Sequence, residues 1–509
     1  MNLENGRFVP DPETGEHLPG AHCPKSGSRR FAFVSDFHLV GEPSRPQQRV
    51  LDWVKSVCAD SSVQQVILGG DLTLNADPGA LDRFLSSLHP FRAPVELIYG
   101  NHEEKILAVD GERYREVHSV KEDQFLSGDP DSRVLLLHQP DFTAALDSFH
   151  RFCGSSKNFS EPILVFSHYP LQAFPEWQDS ISQVATPLFW ISGHSHHPEE
   201  GAIGNAYYNI SGGIDLLKVR GETPEFLIID WNGDCADVKR VSMPKRRLLR
   251  KHSKEQLPAL AYPCFSVDAS ADDLLIVDTW GLLNPSRTSS FKSRDVRVPE
   301  FSGINDPVPE KELEALELVM NSCRSVEISL PYTCSARGED ASSALEFLAG
   351  FFNRLKELVK NSNSTIRFAN TRNSKEHALA CGCTRIGSRP EHFLKLNKNP
   401  ATRGLNWSVS LDTSRLFLNQ EVEKDLDFVS WFEALGSQVE QLCLSQVRKQ
   451  RDLGNVGKLS FSGESGLINP VGVEALIEAF TPNARKLVYG GSLDAARESR
   501  AAWNTTIAF

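Results

Sequence analysis

Five short apolar runs each end in side chains that bind metals. Residues 31–35 lead into Asp36 and His38. Val66-Ile67-Leu68-Gly69-Gly70 leads into Asp71, and residues 95–99 lead into Gly100, Asn101, His102 and Glu103. Residues 163–167 lead into His168, and residues 188–192 into Gly193, His194, Ser195 and His196. A carboxylate such as Asp71 can bridge two cations and hold them about 3.5–4 Å apart. Asp36 adds charge, while the imidazoles of His38, His168, His194 and His196 and the amide oxygen of Asn101 complete the shells. This mixed N/O set suits Mn, Fe, Zn or Ni better than Mg or Ca. A water between two such cations loses a proton near neutral pH and becomes a nucleophile. His102 follows a ligand without being needed as one, which leaves it free to give a proton to a leaving oxygen. Any one of these histidines is more often a packed residue than a ligand. Their convergence carries the reading.

Buried parallel strands deliver residues to the carboxyl edge of a sheet, where open α/β sheets bind their ligands. Between the first three runs, apolar residues recur at helical spacing: Val50, Leu51, Trp53, Val54 and Val57, then Leu81, Phe84, Leu85 and Leu88. Strand, helix, strand, helix, strand is the pattern of a sheet covered on both faces. Residues 133–138 read as another strand, with His138 structural. Residues 206–210 and 225–230, with turns at Gly212-Gly213 and Asn232-Gly233, predict antiparallel strands completing a second sheet. A basic run from Lys239 to Lys254 marks a boundary. Beyond it, strands are expected at 274–278, 325–330, 364–368, 405–411, 439–444, 458–461 and 486–488. Helices are expected at 342–359, 426–435 and 471–480. About 250 residues of alternating units suit a closed β/α barrel. The expected organisation is an arm over 1–29, a first domain over 30–245, a basic linker over 246–257 and a barrel-like domain over 258–509.

The 509 residues are enough for two cores, and 40% hydrophobic content is ordinary for a globular protein. A net charge of -12 gives no overall attraction to nucleic acid. No apolar run reaches the roughly 18 residues of a membrane span, and no basic, then apolar leader is visible. The cysteines are scattered without a Cys-x-x-Cys pair, so reduced thiols and a cytoplasmic location are expected.

Taken together, Asp36-Phe-His38, Gly70-Asp71, Gly100-Asn101-His102-Glu103, His168 and Gly193-His194-Ser195-His196 resemble the five blocks of the calcineurin-like metallophosphoesterase superfamily, in the family's order. The resemblance spans about residues 30 to 245. It implies an α/β sandwich of two mixed sheets flanked by helices. It also implies two divalent transition-metal ions, manganese favoured. One would take Asp36, His38, Asp71 and His196, and the other Asp71, Asn101, His168 and His194. His102 matches the family's acid position. One departure stands out. Many family phosphatases read Gly-Asp-x-x-Asp, the second Asp supporting the catalytic His, and Leu74 stands in that place here. Asn75 or Asp77 could substitute, or His102 works unsupported. The arginine of the protein serine/threonine phosphatases is also missing, with Lys105 near its place. The Gly-Asp-Leu-Thr wording is closer to the diesterase and nuclease branches.

The second half, over about 274 to 488, resembles the barrels of the apurinic-endonuclease and xylose-isomerase type. The resembling pieces are Ile328-Ser-Leu-Pro-Tyr332, Phe368-Ala-Asn-Thr371, Leu411-Asp-Thr-Ser-Arg415, Gln441-Leu-Cys-Leu-Ser445 and the Gly466-Leu467 turn. Ser329, Ala369, Arg415 and Cys443 stand where that family has metal ligands, and only Asp412 fits. A lone Asp cannot hold a catalytic cation, so a barrel that has lost this chemistry is expected. It would bind a substrate, a partner or the first domain. The leading expectation for the whole chain is a hydrolase of phosphate mono- or diesters using a metal-bridged hydroxide. A metal-dependent nuclease is the runner-up, disfavoured by the acidic total. A non-catalytic binding protein is the third reading, against which the complete ligand set weighs. The sequence names no partner protein and no membrane contact.

Overall fold

The computed structural model describes residues 7–10, 17–19, 28–74, 78–87, 91, 93–103, 124–125, 133–137, 161–182, 184–219, 221–249, 257–263, 270–283, 291–302, 308–336, 341–373, 383–423, 426–449, 456–459 and 466–508. Two units divide the chain, Met1–Leu248 and Leu249–Phe509. The strands of the first are β1 (Arg7–Pro10), β2 (His17–Pro19), β3 (Arg29–Val34), β4 (Gln65–Leu68), β5 (Val95–Leu97), β6 (Gln124–Phe125), β7 (Val134–Leu137), β8 (Ile163–Ser167), β9 (Leu188–Ser192), β10 (Glu199–Ile203), β11 (Ala206–Ile210), β12 (Glu225–Trp231) and β13 (Ala236–Ser242). They form two mixed sheets, ordered β2-β1-β13-β12-β3-β4-β5 and β10-β11-β9-β8-β7-β6. In the first, β3, β4 and β5 run parallel. In the second, β7, β8, β9 and β11 do so.

Alternation along β3 explains the layering. Phe31 and Phe33 face the second sheet, their ring centroids 5.5 and 5.9 Å from that of Phe166. Ile67, Leu136, Leu164, Ile191, Leu227 and Ile229 join this inter-sheet core. The opposite face of the first sheet takes helix α1 (Arg45–Asp60). Ser44 and Gln47 cap it reciprocally, Pro46 sits in its first turn, and its Trp53 lies edge-on to Phe226 of β12 at 5.2 Å. A second helix, α2 (Pro78–Ser87), follows β4. The outer face of the second sheet packs Val165 and Trp190 against Trp177 and Ile181 of helix α3 (Pro175–Ile181).

Three features of the first unit differ from the sequence expectation. Strands β12 and β13 do not complete the second sheet. They extend the first, with β12 antiparallel to β3 in the register Ile229↔Phe31 and Leu227↔Phe33. Turn residues report that two strands pair with each other, not which sheet receives them, and burial of Leu227 and Ile229 between the sheets decides it. Within 1–29, β1 and β2 pair antiparallel on the edge of the first sheet. Cys235 is disulfide-bonded, against the expectation of reduced thiols, while Cys58, Cys323, Cys334 and Cys443 are free. His138 lies outside the described residues.

The second unit is a closed barrel of eight parallel strands. They are β14 (Ala259–Pro263), β15 (Leu274–Ile276), β16 (Asp295–Arg297), β17 (Ser325–Ser329), β19 (Thr365–Ala369), β21 (Trp407–Asp412), β22 (Val439–Leu444) and β25 (Arg485–Tyr489), which pairs with β14 to close it. Two two-stranded antiparallel sheets lie outside the barrel order. They pair β18 (Cys334–Ala336) with β20 (Cys383–Arg385), and β23 (Gln446–Lys449) with β24 (Val456–Leu459). The strand expected near 458–461 is therefore a hairpin arm. The helix expected over 342–359 is two, Ser342–Phe347 and Ala349–Lys360. Inside the barrel, Arg297 is paired with Glu327 and with Asp412, the latter at 2.9 Å. Ser410 and Gln441 also donate to Glu327. Buried charge is retained here only because it is paired and hydrogen-bonded.

The buried imidazole of His392 accepts the Gly387 N–H through Nδ1 at 2.9 Å, and burial pushes its pKa down to about 3. Folded His392 is therefore neutral, while the unfolded chain protonates it below its ordinary value of 6.5. Its contribution to stability is complete above that pH and falls by about 1.4 kcal/mol per pH unit on acidification toward 3. Denaturant unfolding at pH 7.5 and 5 should show a larger acid loss for the wild type than for His392→Gln. Equal losses would contradict the assignment.

Candidate metal centre

Each parallel strand hands its terminal residues to the same edge. Asp36 and His38 follow β3, Asp71 follows β4, Asn101 and His102 follow β5, His168 follows β8, and His194 and His196 follow β9. The loops are laced together: the Asp36 N–H donates to Gly70 O at 3.0 Å and the His38 N–H to Asp71 O at 2.9 Å. Asp36, His38, Asp71, His194 and His196 all have positive φ, between 50° and 69°. Only Ser62 and Ser293 share this among the described residues other than glycine. Left-handed backbone at non-glycine residues is held by surrounding structure and clusters at functional sites. Gly70 makes the crowding possible. Its φ is 89°, and a Cβ there would lie 2.6 Å from Gly100 N and 2.7 Å from His168 Nδ1.

The side chains form two groups that share Asp71. Its Oδ2 lies 3.7 Å from His38 Nε2, which is 3.3 Å from His196 Nε2. Asp36 Oδ1 is 4.0 Å from His38 Nε2 and 3.8 Å from His196 Nε2. Asp71 Oδ1 instead faces His168 Nε2 at 3.5 Å, and that nitrogen is 3.2 Å from Asn101 Oδ1 and 3.1 Å from His194 Nδ1. His168 Nδ1–H donates to Gly69 O at 2.8 Å, which leaves Nε2 with its lone pair turned into the group. Burial pushes His38 and His196 well below the usual imidazole range and His194 to about 4, so these rings are neutral donors. Nitrogen and oxygen donors from separate strand ends converge in two groups whose atoms lie within reach of one cation each. The residues thus fit the two-metal expectation in donor type and placement.

Burial pushes Asp36 up to about 7, with the charge of Asp71 adding to the effect. Burial acts on Asp71 in the same direction, but the imidazoles around it and the His102 N–H, 3.0 Å from Oδ1, hold it lower. His102 Nε2 lies 3.9 Å from Asp71 Oδ2, and its ring is edge-on to His38 at 4.6 Å. His102, His38 and Asp71 thus form a third set of potential ligands. The side chain of His102 turns toward the same cleft as the candidate metal ligands.

Two parts of the centre had no role in the sequence reading. Glu103 is fully buried, and its carboxylate accepts the N–H groups of Asp71, Leu72, Thr73 and Gly100 at 2.8, 2.8, 3.0 and 3.0 Å. Burial raises its pKa to about 8, with Asp71 adding to this, yet four donors and no acceptor favour the ionised form. The second part is the support of His102. Its Nδ1–H donates to the backbone carbonyl of Leu74 at 2.6 Å. The residue that breaks the family pattern thus serves through its main chain. Asn75, Asp77 and Lys105 lie outside the described residues.

Residues 29–198 match the family model of calcineurin-like phosphoesterases. The N-terminal region is a calcineurin-like metallophosphoesterase region. No curated protein matches the chain. Solved structures similar to this one include a dimetal phosphatase from Danio rerio, at 16% identity, covering 42% of this chain and 96% of that one with a TM-score of 0.30. A Vps29 single mutant from Entamoeba histolytica is 14% identical over 42% of this chain and 99% of its own, with a TM-score of 0.23. GAP50 of Plasmodium is 10% identical over 42% and 84%, with a TM-score of 0.31.

In this metallophosphoesterase region, Glu103→Gln replaces two acceptor sites by an NH2 group facing backbone donors. It should destabilise the first unit by about 2–4 kcal/mol and lower bound metal in parallel. Wild-type thermal stability and metal content in this variant would show that Glu103 does not hold the Asp71 loop.

Proposed function

We propose that the N-terminal region hydrolyses phosphate esters at a dinuclear metal centre. One observation carries this reading: the two oxygens of Asp71 face separate donor groups, His38 at 3.7 Å and His168 at 3.5 Å. Asp36, His38, Asp71 and His196 would hold one ion, and Asp71, Asn101, His168 and His194 the other. Two bound divalent ions, drawn from Mn, Fe, Zn or Ni with Mn favoured, would supply Lewis acidity and lower the pKa of a water. His102 is read as the acid. The Leu74 carbonyl fixes its Nδ1–H, so Nε2 is the atom turned to the cleft, and its protonated form can give a proton to a leaving oxygen. Burial lowers its pKa and the charge of Asp71 offsets part of that.

Action on nucleic acid is the less favoured reading, because the chain is acidic overall. For the barrel we propose a binding role rather than metal chemistry. Asp412 accepts from Arg297, Ser414 and Ser445, and Arg415 donates to Ser329 and to the Asn370 carbonyl. Of the residues at the expected ligand places, Ser329 and Arg415 thus bond each other, and Asp412 is held by side chains outside that set. We place the working domain limits at 30–245 and 258–509, joined by a basic linker over 246–257. Among the described residues, no helix is long and apolar enough to cross a membrane. A cytoplasmic location remains our proposal.

The test uses the metal-loaded full chain with an alkyl phosphate and a nitrophenyl phosphate. His102→Ala should keep its metals and lose about 10²-fold on the alkyl ester, the low end for loss of an acid, since a carbonyl rather than a carboxylate supports the ring. The loss on the activated ester should be smaller. Loss of metal would make His102 a ligand, and equal losses would make it a phosphoryl-binding group. A wild-type chain that hydrolyses no phosphate ester with any of the four metals would overturn the reading.

A further inference from the structure

Residues 211–219 connect β11 to β12 and wrap the metal centre. The Ser211 N–H donates to Ser192 O at 2.7 Å and the Ile214 N–H to Ser35 O at 3.1 Å. Gly213, with φ 82°, lies against Asp36 so closely that a Cβ there would be 2.8 Å from the Asp36 Cβ. The buried Asp215 side chain then accepts the N–H groups of Leu217 at 2.7 Å and Lys218 at 3.2 Å. The Val219 N–H closes one turn onto Asp215 O at 3.4 Å. This turn is fixed to the same two strand ends that carry Asp36 and His194, and it presents Lys218, which is half-buried. Lys218 makes no ion pair among the described residues. Its charge nonetheless reaches into the centre. Next to burial, it is the strongest influence disfavouring protonation of His38 and of His196, and it acts in the same direction on His102 and His194.

We propose that Lys218 is a substrate-binding cation of this centre and that it selects phosphate monoesters over diesters. The proposal rests on the phosphoesterase reading and names the substrate class within it. A monoester has three non-bridging oxygens and a diester has two. Asp71 divides the metal-binding side chains into two groups, so two phosphoryl oxygens have a group each to face. The third oxygen of a monoester carries charge and needs a donor. In a diester that place belongs to an ester oxygen, uncharged and bearing an organic substituent. An ammonium bonds the first and is obstructed by the second.

The experiment compares the metal-loaded full chain with Lys218→Met and Lys218→Arg. Metal content, measured first, should be the same in all three, because Lys218 is not a ligand. Calorimetry with inorganic phosphate should show affinity falling about 10–100-fold in Lys218→Met, the size of one charge-assisted hydrogen bond, and recovering in part in Lys218→Arg. With 4-nitrophenyl phosphate and methyl 4-nitrophenyl phosphate, kcat/KM should fall by that factor on the monoester and by much less on the diester. Phosphate affinity unchanged in Lys218→Met, or equal falls on both esters, would overturn the proposal. If the wild type hydrolyses neither ester, the phosphoesterase reading fails, and the phosphate calorimetry still decides the role of Lys218.

Discussion

Beneath the candidate metal centre sits one buried carboxylate holding four backbone N–H groups. Glu103 ties the start of the Asp71 loop to Gly100, and so joins the ends of β4 and β5. Asp71 can then face two donor groups at once, and Leu74 is delivered where its carbonyl meets His102. A carboxylate in this setting is stabilised by donors that cannot move away, because each belongs to the main chain of a strand end. Removing it would leave those donors buried and unpaired, which costs more than the bonds themselves contribute.

The same edge carries a concentration of left-handed residues. Each costs on the order of 1–3 kcal/mol and persists only where its surroundings over-determine it. The surroundings are the inter-sheet core of Phe31, Phe33, Phe166 and Ile191, which fixes the strands that end at Asp36, His168 and His194. Apolar packing between the sheets therefore supports strained polar loops at their rim. In the barrel, by contrast, named interior side chains bond one another, Arg297 with Glu327 and Asp412, Arg415 with Ser329, although Arg297 Nη2 and Gln441 Oε1 find no partner among the described residues.

Much of this was legible in the sequence where burial is simple. Ile163–Ser167 and Val439–Leu444 read as strands because apolar runs bounded by turns have few alternatives, and the polar residues at the strand ends of the first unit come together at one edge. Asp295–Arg297 was not legible. It is three residues long with charged ends, and it is buried because Asp295 pairs with Arg324 and Arg297 with Glu327 and Asp412, partners remote in sequence. Glu103 and Leu74 escaped for a related reason: what they bond is backbone, which carries no residue label. Lys218 is a single lysine in a loop, and only the folding of that loop onto Asp36 gives it meaning.

Asp71 is placed to bridge two ions. Electron paramagnetic resonance of the manganese-loaded chain, quantified against bound metal, tests it directly. Two ions per chain and the spectrum of an exchange-coupled pair are expected, replaced by that of isolated ions in Asp71→Asn. A wild-type spectrum of isolated ions, or a single bound ion at saturation, would contradict it.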